Sequence, residues 1–221
     1  MHGERSRTLD GPHCFAAAPT RRVLLTAVVL VLWVAGAAPS VAAQWSAPTI
    51  CANVTNPNEP DFDPFLTYDG TTLYFSSRSN SNMEIFRAQR ASPYGTFSRP
   101  VRVAELCTND ANFGPTLRAD GREIFFTRWK PTSLAEKIMR ATRSQNSGPF
   151  STPVEVKELN NNGKGRQFSA SITADGLQIY FTRYTPGIVD ADIWTASRPS
   201  LNAPFGAPTR VEELNTWYND R

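Results

Sequence analysis

The side chains able to do chemistry in this chain are few, and their placement limits what they can do. Its two histidines, His2 and His13, both precede Arg21, so the body of the chain holds none. Imidazole-dependent nucleophilic triads and histidine-bound zinc are therefore closed to it. Carboxylates recur as Asp61 with Asp63 and Asp190 with Asp192. Residues two apart on a strand share a face, whereas glycoside hydrolysis needs two carboxyls about 5 to 9.5 Å apart across the scissile bond. A hard cation would need six or more oxygens, more than these pairs supply. No catalytic residue, cofactor or metal is expected. What remains is a set of polar, cationic and aromatic residues in variable segments: Asn109, Asp110, Arg128, Trp129, Lys130, Lys164, Arg166, Arg183 and Tyr184. Aromatic residues beside arginines can stack a sugar or clamp a peptide, or they can simply cap the fold that carries them.

The elements that position these residues repeat. "DGTTLYFSSR" from Asp69 returns as "DGREIFFTRW" from Asp120 and as "DGLQIYFTRY" from Asp175. A short strand precedes each Asp-Gly pair, in "DFDPFL", "NFGPTL" and "QFSASI", with Phe62, Phe113 and Phe168 at equivalent places. Asp-Gly predicts a two-residue hairpin turn with positive φ angles. The second strands "TLYF", "EIFF" and "QIYF" carry consecutive apolar residues, so both of their faces call for burial. A third strand follows in "MEIFRAQR", "EKIMRATR" and "ADIWTASR", each ending in Ala-x-Arg at Arg90, Arg143 and Arg198. A fourth, entered through proline as suits an edge strand, alternates Val103, Val156 and Val211 with Arg102, Glu155 and Arg210.

Sheets that bury both faces and keep a polar outer strand pack face to face around an axis, which predicts an all-β, β-propeller fold. Three complete four-stranded blades are expected at about residues 59–106, 109–159 and 166–214. "WSAPTICANV" aligns with a fourth strand and predicts one extra leading strand, giving a partial or open propeller. Such a chain would extend into further blades, close a ring by self-association through its open blade faces, or stand as an arc.

The unit P-x-L-x-x-D-G-x-x-[IL]-[YF]-F-[ST], followed by an alternating strand ending in Ala, resembles the tryptophan-aspartate-like propeller repeat of the TolB family and of many exported bacterial proteins. The resemblance covers nearly all of residues 44–221; the third copy departs from it with Ala170 where Pro64 and Pro115 stand. It implies a propeller and little about activity, since the shared residues are turn and core positions.

Residues 1–43 read as a signal peptide: Arg21-Arg22, an apolar run from Val23 to Ala38, then small residues ending Val41-Ala42-Ala43. The twin arginines fit either a general or a twin-arginine export signal. Periplasmic or secreted location is expected, with membrane contact only through that segment. Removing it leaves a net charge of +1, which gives no reason to propose nucleic acid as a partner. Cys51 and Cys107 then stand in an oxidising compartment, as a disulfide or as free thiols. The expected function is a non-enzymatic module binding a protein or glycan of the cell envelope. The alternative is the propeller part of a carbohydrate-active hydrolase or lyase whose catalytic residues lie outside this chain.

Overall fold

The computed structural model describes residues 46–55, 58–79, 82–160, 165–184, 191–216 and 220. Contacts divide the chain into Met1–Ala47 and Pro48–Arg221, and the architecture is that of the second unit. The signal segment lies outside the described residues.

Three antiparallel four-stranded sheets form in chain order, each with its strands side by side in sequence. Blade 1 comprises β1 (Asp61–Leu66), β2 (Thr72–Ser79), β3 (Asn82–Gln89) and β4 (Val101–Arg102). Blade 2 comprises β5 (Ala111–Leu117), β6 (Glu123–Lys130), β7 (Ala135–Thr142) and β8 (Val154–Glu155). Blade 3 comprises β9 (Arg166–Ile172), β10 (Gln178–Tyr184), β11 (Ala191–Ser197) and β12 (Thr209–Arg210). Among the first strands, β5 contacts both β1 and β9, as neighbouring inner strands around a common axis do.

The consecutive apolar residues of the second strands divide between two interfaces because side chains alternate across a strand. Tyr74 and Phe126 meet in the core between blades 1 and 2, with Leu106 and Leu117. Phe125 and Phe181 meet in the core between blades 2 and 3, with Leu159 and Ile172. Phe75 faces forward from blade 1 onto Val54 and Ala88.

The Asp-Gly turns are longer than the two-residue hairpin the sequence predicts: Thr67 N–H donates to Thr72 O across the loop, and Arg118 and Thr173 do the same to Glu123 and Gln178. Gly70 N–H donates to Thr67 O at 2.7 Å, and the same bond recurs from Gly121 to Arg118 and from Gly176 to Thr173. Only the glycine of each pair has positive φ, at 68°, 67° and 74°. Each loop is thus a four-residue turn closed by a left-handed glycine. The aspartate itself is not at positive φ, and its carboxylate accepts the N–H two residues on, from Thr71, Arg122 and Leu177. Hydrogen bonds hold the Asp69 and Asp175 carboxyls below the usual range, from Thr67 and Thr173 first, while Arg118 does so for Asp120.

The recurring Ala-x-Arg arginine holds this turn from the far side. Nε of Arg90, Arg143 and Arg198 donates to the carbonyl of Gly70, Gly121 and Gly176, each at 2.7 Å. The guanidinium also lies 4.3 to 4.7 Å over Phe97, Phe150 or Phe205. One arginine therefore ties the hairpin to the loop before the outer strand by a hydrogen bond and a cation–π contact.

The outer strands are only two residues long, after which the chain folds into a turn. Leu106, Leu159 and Leu214 donate their N–H to Val103, Val156 and Val211. Residues 48–55 form no strand, contrary to the sequence expectation. They keep the turn alone: Val54 N–H donates to Cys51 O at 2.8 Å, and Val54 packs on blade 1 as Leu106 and Leu159 pack on blades 2 and 3. The strand part is missing because a fourth strand needs a third to pair with, and the described residues provide none ahead of blade 1.

The residue after each leucine fastens the third strand. Asn160 exchanges two hydrogen bonds with the backbone of Ile138, at 2.8 and 2.9 Å, and Asn215 does the same with Ile193. Cys107 takes that place in blade 1 and offers only a thiol 3.8 Å from Ile85 O. Cys51 and Cys107 are both free thiols, and burial pushes the Cys107 thiol up. Cys107→Asn is expected to raise stability by about 1 kcal/mol, one net hydrogen bond. Thermal unfolding against Cys107→Ala checks it; no gain over alanine would refute the assignment.

Candidate functional site

A cleft of about 470 Å³ opens between blades 2 and 3, lined by Phe113, Trp129, Leu134, Glu136 and Arg166. Trp129 stands at the end of β6, opposite Ala111 on β5 and Glu136 on β7. Arg166 begins β9 and crosses to blade 2, where it grips the Glu136 carboxylate with two bonds of 2.7 and 2.9 Å. That pairing with Glu136 raises the arginine's pKa further. On its other side the Arg166 guanidinium lies 5.2 Å from the Tyr184 ring, and Tyr184 stacks on Phe168 at 5.8 Å.

The wall is apolar and its rim charged, the composition of a recognition site for a ring or an amphipathic side chain. Trp129 and Phe113 are half-buried, so they are held in place and still present surface. Arg166 is about half exposed while Glu136 is 8% exposed, which leaves the guanidinium edge open to a ligand carboxylate or hydroxyl. Leu134 is 70% exposed and sits at φ 53°, a left-handed conformation for a branched residue that turns it outward over the cleft.

Of the residues singled out from sequence, Trp129, Arg166 and Tyr184 are brought together here. Arg128 and Arg183 are not; they belong to strands rather than loops and turn inward. Arg128 donates to Asn112 Oδ1 at 2.8 Å and to Leu106 O at 3.0 Å. Arg183 donates to Leu159 O at 3.0 Å and lies 4.4 Å over Trp194. Asn109 and Asp110 form a knot between blades 1 and 2, their carbonyls accepting from Asn82 Nδ2 at 3.2 and 3.1 Å. Lys130 is exposed at the end of β6, away from the cleft wall. Lys164 lies outside the described residues.

Phe113, Leu134 and Glu136 were not among the expected site residues. Phe113 carried a signal, since its position is Phe in all three copies, and a repeated aromatic beside a variable one marks the strand end on that face. Of the carboxylate pairs, Asp192 is bonded to Arg210 at 2.9 Å and Asp63 accepts from Ser76 at 3.1 Å, while Asp190 lies outside the described residues. Among the described residues no group of three or more His, Cys, Asp or Glu could hold a metal.

The three sheets, their shared turn chemistry and the packing of each on the next define a β-propeller. No family model and no curated protein matches the sequence. Among solved structures the chain is similar to a TolB-like protein from Agrobacterium tumefaciens, with a TM-score of 0.50 and 16% identity over 72% of this chain and 47% of that one. It is also similar to TolB from Acinetobacter baumannii, with a TM-score of 0.46 and 17% identity over 67% of this chain and 32% of that one. A microbial sialidase matches at a TM-score of 0.46 and 12% identity, over 68% of this chain and 38% of the sialidase. The chain thus spans a third to a half of these proteins, and the likeness is one of fold.

Proposed function

We propose that this chain is an exported, non-enzymatic propeller module that binds a protein or a glycan of the cell envelope, with the cleft between blades 2 and 3 as its binding surface. The observation that carries the reading is the pairing of a half-exposed tryptophan with an open guanidinium edge across a blade interface. Rigid sheets hold Trp129, Phe113 and Arg166, so a ligand meets a preformed surface and little is lost to ordering it. The propeller fold shared with TolB proteins and the leader-like residues 1–43 support an envelope location. The Glu136 carboxylate is already held by Arg166, which suits positioning the guanidinium better than proton transfer.

Trp129→Ala is expected to weaken binding about 30-fold, the effect of removing a central aromatic anchor worth about 2 kcal/mol. Cell-wall glycan fragments and envelope protein extracts are to be titrated against the wild type, Trp129→Ala and Tyr184→Ala by calorimetry. Unchanged affinity in Trp129→Ala, with unfolding behaviour also unchanged, would remove the cleft from consideration.

A further inference from the structure

Blades 2 and 3 each fill one internal slot with an arginine from the second strand. Arg128 lies 5.5 Å over Phe126, and its two donors meet Asn112 Oδ1 and the carbonyl of Leu106. Arg183 lies 5.2 Å over Phe181 and 4.4 Å over Trp194, donating to the carbonyl of Leu159. In blade 1 the same place in the repeat is Ser77. The aromatic and turn groups that would receive the guanidinium nevertheless have counterparts in blade 1. Phe75 stands for Phe126 and Phe181, Phe86 stands for Trp194, and the turn ending at Val54 stands for those ending at Leu106 and Leu159. Asp61 stands where blade 2 has the neutral Asn112. With a serine in place of the long side chain, these groups line a cleft of about 610 Å³.

We infer that this cleft is a guanidinium receptor, which takes the arginine side chain of a partner polypeptide in the place that Arg128 and Arg183 fill from within. The exchange of Asn112 for Asp61 puts a carboxylate where blade 2 has a neutral amide. A carboxylate offsets more of the hydration that a buried guanidinium loses than an amide does. The half-buried ring of Phe86, stacked at 6.1 Å on the buried Phe75, favours the planar guanidinium over an ammonium. Arg78 and Arg99 also border the cleft and are exposed. The partner's arginine is therefore flanked by acidic residues, whose carboxylates face those two cations. This site is separate from the cleft between blades 2 and 3 and does not depend on it.

The probes are the capped tripeptide acetyl-Glu-Arg-Glu-amide, its Glu-Lys-Glu counterpart and free L-arginine, titrated into the full chain and followed by NMR of the aromatic signals. The Arg peptide is expected to shift the Phe75 and Phe86 signals and to bind at least about tenfold tighter than the Lys peptide. Ser77→Arg supplies blade 1 with the residue its sister blades carry, so it should fold at least as stably and lose the peptide. Asp61→Asn keeps the shape and is expected to bind about tenfold more weakly. Absence of saturable binding, or equal binding by Ser77→Arg, overturns the inference. Should Ser77→Arg fail to fold, unchanged affinity in Asp61→Asn does the same. Free arginine binding as tightly as the peptide would overturn the polypeptide assignment.

Discussion

Glu123→Ala is expected to lower unfolding free energy by about 3 to 5 kcal/mol, the range found when one partner of a buried ion pair is removed. The Glu123 and Arg198 side chains are each only 1% exposed, and they join blades 2 and 3 through contacts of 2.5 and 3.1 Å. Arg140 Nε reaches the same carboxylate at 2.5 Å, and Arg118 approaches it at 3.5 Å. Without the carboxylate the Arg198 guanidinium keeps the Gly176 carbonyl and the Phe205 ring but stays buried with no counter-charge. That uncompensated charge, more than the lost bonds, sets the size of the effect. Urea unfolding of Glu123→Ala, Arg198→Met and the double variant measures it. The double variant is expected to lose less than the two single losses added together, because removing both charges leaves neither stranded. A loss below about 1 kcal/mol in Glu123→Ala would mean that water reaches the site and replaces the carboxylate.

Phe125→Ala is expected to cost a similar amount, about 3 to 5 kcal/mol, through lost burial and the cavity left behind. Phe125 is fully buried, meets Phe205 edge-on at 5.9 Å and packs among Ile138, Leu159, Ile172 and Phe181. Because the core around Phe125 is built from residues of blades 2 and 3, the damage should stay at that interface. Hydrogen exchange should show amides of β9 to β11 losing protection first, with β2 and β3 keeping theirs. Tyr180 occupies the same repeat position in blade 3 but is only half-buried. Tyr180→Ala is therefore expected to cost clearly less, and equal losses in the two variants would refute the interface account.

The two effects differ in how far the sequence announces them. Phe125 could be placed at an interface from its strand alone, because a run of consecutive apolar residues cannot hide on one side of a sheet. Glu123 could not. Thr72 and Gln178 hold its place in the other blades, so nothing in the repeat marks it as special. Its partner Arg198 lies 75 residues away and belongs to a position that is arginine in every copy. Arg128 and Arg183 show the converse: the variable segments they border suggested ligand contact, yet strand alternation turned them into the blade interfaces.

By itself the sequence determined the three sheets, the order of strands within each and the burial of both faces of the second strands. Those features follow from period-two alternation, turn chemistry and repetition, all of which are local. Only the tertiary structure decided that Trp129, Phe113 and Arg166 share one cleft, and that Ser77 leaves a slot open where its sister blades place an arginine. Both depend on how one blade seats on the next, and that seating is set by side chains far apart in the chain whose identities the repeat does not fix.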